Sequence, residues 1–384
     1  MTNRKVDLRK IIFYISLLFY IMQSFIDSTA LVYYIPNLFS KILLGFALVG
    51  FSIKLVFFDR YKYRDVIFIA IWGLIALGVL YQTSYKQVLI FSLIIIACKD
   101  IDFISILKFY LAISAFLLIV VVVLSQFDII VDIVFIRDGV ERHSLGTLYP
   151  TNVAARVFFC CLAYLVLKFD NLRLLDTVAV TILGIVVLRY TQGRLDSYLI
   201  VATALLFYFL SKCGPGLKKF LAVIGVAAPF FGFLISYLAS YFYDNSSLLW
   251  FNLNRLFSGR LALGKAALNL YPIKGFGQQI YEQGNGGLEG LNNFSNAYFY
   301  IDSSYLNILI RFGYIFAFFI FSYSIWKLCV LFRMKKYTII IAFGLVCVNS
   351  IISTFYFGPS YNPFILLLFS SVIDKSGIDF NNEY

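Results

Sequence analysis

With His143 as its single histidine, the chain has too few imidazoles for a histidine-built metal centre. The six cysteines (Cys98, Cys160, Cys161, Cys213, Cys329, Cys347) lie in apolar runs or at their ends. They form no CxxC pair, which argues against both a disulfide framework and a thiolate metal site. No small-x-small cleavage site follows the first apolar run, where Asp27-Ser28-Thr29-Ala30 is a poor match, so that run reads as an uncleaved helix. Internal repeats and two-fold hydropathy symmetry are also missing, against a solenoid and a repeat-built transporter. Basic residues are scattered through short loops with no stripe of interleaved exposed aromatics. The net charge of +12 therefore points to anionic lipid headgroups, not to nucleic acid.

What the chain has in abundance is apolar sequence: 61% of its residues are hydrophobic and the mean hydropathy is +0.87. A hydrocarbon core takes about 20 apolar residues per helix. Runs near that length predict spans over 11–27, 38–58, 66–81, 87–98, 104–126, 151–167, 174–190, 195–210, 219–241, 303–326, 337–355 and 360–373. The expected fold is all-α, a polytopic integral membrane protein of about twelve helices (ten to twelve). It divides into an N-terminal bundle over 1–241, a long polar loop over 242–302 and C-terminal helices over 303–384. With the N-terminus inside, the loops holding Arg60/Lys62/Arg64, Lys168/Arg173, Lys212/Lys218/Lys219 and Arg333/Lys335/Lys336 all fall inside, as the positive-inside rule expects. The segments 127–150 and 242–302 then lie outside. The second is rich in Gly and Asn and too long for a passive connection.

Charge type separates the two sides. Arg137, Arg142, Arg156, Arg189, Arg194, Arg255, Arg260 and Arg311 fall in or beside the outer half of the membrane, while lysine dominates inside. Guanidinium is a planar, permanently charged fork that matches phosphate oxygens, so a phosphate-bearing lipid or substrate is expected there. Arg194 sits in the tight turn Arg189–Ser197, with Asp196 as its nearest carboxylate. Arg260 opens a short helix over 259–270 for which Ser258 is the cap; free N–H groups there also favour an anion. Asp302 begins the stretch Asp302-Ser303-Ser304-Tyr305, either as a helix cap or as a carboxylate base. The outer acids, among them Asp132, Asp138, Glu141, Asp196, Glu282 and Asp302, make no DxD cluster.

Arg260, then Pro272-x2-Gly275-x-Gly277, a polar stretch and Asp302-Ser303-x9-Gly313 resemble the C-terminal half of the O-antigen ligase/polymerase superfamily. The upstream Arg142-His143-Ser144-Leu145-Gly146 and Pro150-x-Asn152 are similar to Wzy-type capsule and exopolysaccharide polymerases of Gram-positive bacteria. The likeness covers about 137–320 and the helix-and-loop layout; its motifs are short. Ligases of the superfamily carry a histidine-led motif where this chain has Asp302-Ser303, which disfavours a ligase.

The resemblance implies a glycosyltransferase that polymerises oligosaccharide repeat units carried on undecaprenyl diphosphate at the outer leaflet of the cell membrane. It also implies flippase and chain-length regulator proteins as partners, beside membrane lipid. Stabilising the leaving diphosphate needs a divalent metal or preorganised cations. The few outer acids favour arginine, so neither metal nor cofactor is expected. Arg194, Arg260 and Arg142 are the first choices for the cations, with Arg194 and Arg260 facing one cavity. Asp302 is the first choice for the base and His143 the second. Asn152, Arg255, Gly275, Gly277 and Tyr305 are expected to bind substrate. A lipid-linked oligosaccharide flippase or transporter, and an O-antigen-type ligase, remain the alternative functions.

Overall fold

The computed structural model describes residues 7–137, 139–284, 286–292 and 298–372. Asp138 and Asn285, both expected in outer loops, lie outside the described residues, as does the chain from 373 onward. The structure is a helical membrane bundle. Its elements are α1 (Leu8–Ser28), α2 (Asn37–Ile53, continued by a π-turn to Phe58), α3 (Tyr63–Thr83), α4 (Gln87–Ile96), α5 (Phe103–Gln126), α6 (Pro150–Lys168), α7 (Leu174–Thr191), α8 (Arg194–Lys212) and α9 (Pro215–Tyr241). After α9 come α10 (Leu248–Leu256), α11 (Arg260–Leu270), α12 (Gly287–Asn292), α13 (Ser304–Asn307), α14 (Gly313–Arg333) and α15 (Tyr337–Asn349). Among the described residues, nine helical stretches are long and apolar enough to cross a membrane, α13 and α14 counting as one; α4 and α15 are shorter apolar helices.

Several expected spans differ in detail. The 87–98 run folds as the ten-residue α4 followed by a turn, and the 337–355 run is helical only to Asn349. Over its described residues, 360–372, the 360–373 run is not an α-helix. Gly358 and Pro359 precede it and Asn362 and Pro363 interrupt it, leaving one 3-10 segment over Pro363–Leu368. Residues 350–372 nevertheless run from one end of the bundle to the other, joining Ser304 N–H to Ser350 O at 3.0 Å and Ser371 N–H to Ile101 O at 2.9 Å. Irregular backbone at membrane depth survives only when protein satisfies its polar groups. Here Tyr110 Oη donates to Tyr361 O (2.6 Å), Tyr323 Oη to Leu368 O (3.1 Å) and Lys327 Nζ to Ser370 O (2.9 Å). The fold also holds a two-stranded antiparallel hairpin, β1 (Val134–Arg137) and β2 (Val140–His143), where only helices were expected.

Hydrogen bonds sort the turns into two ends. At one, Ala30 N–H reaches Gly146 O (2.8 Å), Tyr85 Oη reaches Ile280 O (3.0 Å) and Arg142 Nε reaches Thr191 O (3.1 Å). At the other, Lys54 Nζ meets Lys99 O (2.9 Å) and Lys99 pairs with Asp65 (3.1 Å). The first end carries the hairpin, α10–α12 and Arg142, Arg189, Arg194, Arg255, Arg260 and Arg311; the second carries the lysine-rich turns together with Arg60, Arg64, Arg173 and Arg333.

Packing follows membrane rules, in which small residues allow close backbone approach. On α9 and α15, Gly225 and Gly344 meet so closely that a Cβ on Gly344 would lie 3.1 Å from Gly225 Cα. The central helix α6 is buried along almost its whole length, including Arg156. That guanidinium lies 3.8 Å from the Phe25 ring centroid and 3.9 Å from that of Tyr361, and donates to Ser28 Oγ at 2.7 Å. A planar cation can stack between two rings where a compact ammonium cannot. Arg156→Lys should lower stability by about 2 kcal/mol, read as a fall in the thermal midpoint in detergent. An unchanged midpoint would remove the stack as the reason for the arginine.

A broken helix ties the polar loop to the bundle. After α13, a π-turn over Ile308–Phe312 ends at Gly313, whose φ of 88° and ψ of 164° suit glycine alone. The break frees backbone groups, and residues 274–278 take them. Gln278 N–H donates to Arg311 O (3.2 Å), Tyr314 N–H to Lys274 O (3.1 Å) and Ile315 N–H to Gly275 O (3.1 Å). A Cβ on Gly277 would overlap the Arg311 carbonyl, and one on Gly313 would overlap Gly275 O. Phe276 packs on Gly78 of α3. Beside this joint Arg311 pairs with Glu282 and covers the Tyr85 ring at 4.6 Å.

Candidate functional site

Arg260 and Asp302 come together where α11 meets the start of α13. Arg260 Nε lies 3.5 Å from Asp302 Oδ2, and the two side chains are 19% and 24% exposed. Asp302 therefore does not cap its helix. Ser303 holds the cap position, with no side-chain cap bond, and the carboxylate turns to the arginine. The N-terminus of α11 also differs from expectation. Gly259 stands at its cap position with φ +86°, and Ser258 caps nothing. Asn254 of α10 reaches across, its Oδ1 accepting from Leu261 N–H and Ala262 N–H, both at 3.1 Å. The free N–H groups expected to share an anion with Arg260 are thus already occupied in part.

Burial raises the Asp302 pKa above the ordinary carboxylate value; the Arg260 charge opposes the rise and Glu282 adds to it. Arg142 belongs to the same electrostatic neighbourhood. Only 4% exposed, its guanidinium has a lowered pKa, first through burial, with the charges of Arg137 and Arg260 acting in the same direction and Tyr149 opposing. Its group stands 5.6 Å over the Tyr149 ring. Strand alternation turns Arg142 inward, and His143 the other way.

A small cleft of about 40 Å³ opens beside Arg260, walled by Ile235, Ala239, Leu261, Ile351 and Ile352. Its lining is apolar apart from a few groups. Two of these, Ser236 Oγ and Ser303 Oγ, are buried with no hydrogen-bond partner, and Arg260 Nε makes no hydrogen bond beyond its ion pair with Asp302. Ser236 and Ser303 are 4% and 7% exposed. Leaving a buried polar atom unpaired costs about 1–3 kcal/mol, so two serine hydroxyls in one cleft beside a guanidinium could receive an oxygen-bearing group. Behind it, Asn349 Nδ2 donates to Asp196 Oδ1 (2.6 Å) and Ser353 Oγ to Asn349 Oδ1 (2.5 Å).

The other sequence-chosen residues fall elsewhere. Arg194 is exposed on the first turn of α8, while Asp196, two residues on and on the opposite side of the helix, faces inward. No ion pair joins these two among the described residues. Arg194 is not among the residues lining the cleft beside Arg260, whose partner there is Asp302. His143 Nδ1 is held by Asp132 Oδ2 at 2.7 Å, and Asp132 Oδ1 also accepts from Leu145 N–H. His143 lines a separate cavity of about 370 Å³ with Glu141, Arg189 and Tyr190. Arg255 is exposed on α10, and Asn152 is half-buried in the first turn of α6. Gly275 and Gly277 serve the helix joint. Tyr305 is fully buried against Gly232, its hydroxyl donating to Cys347 O at 3.1 Å, so bundle packing accounts for it.

Ser236 and Asn349 carry no motif and are not singled out by the sequence, while Ser303 stands in the Asp302-Ser303 motif without an expected role of its own. Asn349 had a usable signal, a polar amide within an apolar run, which in membrane helices marks an interior-facing position. The Asp138-Gly139 pair between two alternating segments was likewise a hairpin signal. Among the described residues, no three His, Cys, Asp or Glu side chains gather as metal ligands. No protein-family model matches the chain, and no curated protein or solved structure matches it.

Proposed function

We propose that the protein is a glycosyltransferase that polymerises lipid-diphosphate-linked oligosaccharide repeat units at the membrane face bearing the polar loop. The observation that carries this reading is the Arg260–Asp302 pair beside an apolar cleft whose buried serine hydroxyls lack partners. A prenyl diphosphate has both kinds of group: an anionic oxygen that the small cleft admits beside the guanidinium and serine hydroxyls, and a hydrocarbon chain that would lie along the apolar helix surface outside it. Arg142 supplies a second, largely desolvated cation within electrostatic reach.

The chemistry follows from the pairing. In the free enzyme Arg260 and Asp302 hold each other. A diphosphate oxygen entering the cleft competes for the guanidinium and releases the carboxylate. An acceptor sugar hydroxyl then attacks the anomeric carbon of the donor chain. The new C–O bond forms as the bond to diphosphate breaks, the diphosphate leaves with the electron pair, and Asp302 takes the hydroxyl proton. Arginine fixed in place before the reaction stabilises the developing charge without reorganisation. Arg194, exposed outside this pair, is not needed by the mechanism.

Sizing the lipid-linked glycan after gene deletion tests the activity. Single repeats should accumulate at the loop-bearing face. Full-length unattached chains would establish a ligase instead, and repeats confined to the opposite face a flippase. With purified, reconstituted protein, polymerisation should continue in excess EDTA. Arg260→Lys should lower the rate by about 10²-fold because the bidentate fork is lost although the charge remains. Loss of activity in EDTA, restored by a divalent ion, would overturn the arginine-based account.

A further inference from the structure

The helix α10, Leu248-Leu249-Trp250-Phe251-Asn252-Leu253-Asn254-Arg255-Leu256, contains no buried residue. Leu248 is 75% exposed, Leu249 66%, Phe251 50% and Leu256 65%. An uncovered patch of this kind on a polar loop would be costly in water. Its arrangement is also ordered: Leu249, Leu253 and Leu256 recur at i, i+4 and i+7 and share one face, with Asn252 and Arg255 on the face beside it.

The surroundings fix the height of α10. Residues 242–247 alone connect it to α9, a reach of at most about 20 Å. Asn254 ties it to α11, and α11 packs on α9 with Gly264 against Ser240 near that helix's last turn. Lys265 Nζ donates to Tyr241 O from α11. The exposed Tyr241 and Phe242 end α9 with the aromatic signature of a membrane–water boundary. These ties hold α10 close to the end of α9, a helix whose surface is exposed at Phe230, Phe231 and Ile235.

We infer that α10 is an in-plane membrane anchor. Its Leu249–Leu253–Leu256 face lies among the upper acyl chains of the leaflet at the polar-loop end, and Arg255 reaches the phospholipid phosphates. This assignment goes beyond the polymerase reading and does not depend on it. The anchor acts on the site through sequence proximity. Arg260 begins four residues after Leu256, so a helix seated at the glycerol level holds that guanidinium near the depth of lipid-borne phosphate.

Trp250 reports the depth directly. Vesicles would be prepared from phosphatidylcholine brominated either near the glycerol end or near the methyl end of its chains. The Trp250 signal is the difference between the native protein and Trp250→Phe, so Trp72 and Trp326 stay in place. Quenching should be about twofold stronger with the shallow bromines. It should fall to the level of soluble-quencher controls in a Leu249→Gln, Leu256→Gln double variant that still folds by circular dichroism. Equal or deeper quenching would overturn the proposal, as would no quenching with full access to iodide. Should the double variant fail to fold, the shallow-to-deep ratio of the native protein decides alone.

Discussion

Asp302→Asn should lower polymer formation by about 10²- to 10⁴-fold, the range of a lost general base, while leaving the fold intact. Asparagine has the same shape, and Asp302 makes no cap bond whose loss would loosen the helix. The ion pair with Arg260 is partly exposed, so its loss has a small effect on stability. The pH profile gives a second readout. Burial raises the Asp302 pKa, and only the ionised form accepts a proton. The rate should therefore rise with pH through a value above the ordinary carboxylate range, then level off. In the Asn variant this limb should disappear from the residual activity. Retained turnover would rule out Asp302 as the base and, because His143 lines a separate cavity, would move the reaction away from the Arg260 cleft along with that role.

The second large effect concerns the joint between loop and helix. Gly277→Ala and Gly313→Ala should each destabilise the protein by about 3 kcal/mol or more. Each residue has a positive φ, +77° and +88°, and each would drive a Cβ into backbone of the opposite segment. Because those segments satisfy one another's hydrogen bonds, separation also leaves donors and carbonyls of a membrane helix unpaired. Thermal unfolding in detergent and protease cleavage within 242–302 would measure this. Gly45→Ala is the control, since a Cβ there meets nothing within 4 Å. Behaviour of Gly277→Ala equal to that of the control would show that the loop does not dock as described.

The parts of this fold legible in the sequence are those set by solvent. Apolar length marks the helices, and the separation of lysine from arginine marks the two ends of the bundle, because both follow from the bilayer and not from partners. Arg260, Asp302 and Arg142 were legible for the same reason: charges at the ends of membrane helices stand out. Their grouping was not. Whether Arg260 meets Asp302 or Arg194 depends on how α11 seats on α9, and Arg194 and Asp196 differ only by a helical rotation that local sequence does not orient. The glycines at 275, 277 and 313 show a related limit. Their spacing is visible, but a need for close backbone approach and a need to contact substrate leave the same residue in the sequence. The irregular crossing after Asn349 escaped for a third reason, since its stability comes from side chains far away in the chain.

That crossing has a consequence for how the protein is made. Membrane insertion sorts segments one at a time by whether each can stand alone in lipid as a helix. Residues 350–372 do not meet that condition, because their carbonyls lean on Tyr110, Tyr323 and Lys327. The slot they fill must exist before they enter it. Ordered assembly is the expectation: the helices bearing those three donors come together before residues 350–372 settle between them. An error in that step would leave a polar trench facing lipid, a defect that membrane quality control can recognise.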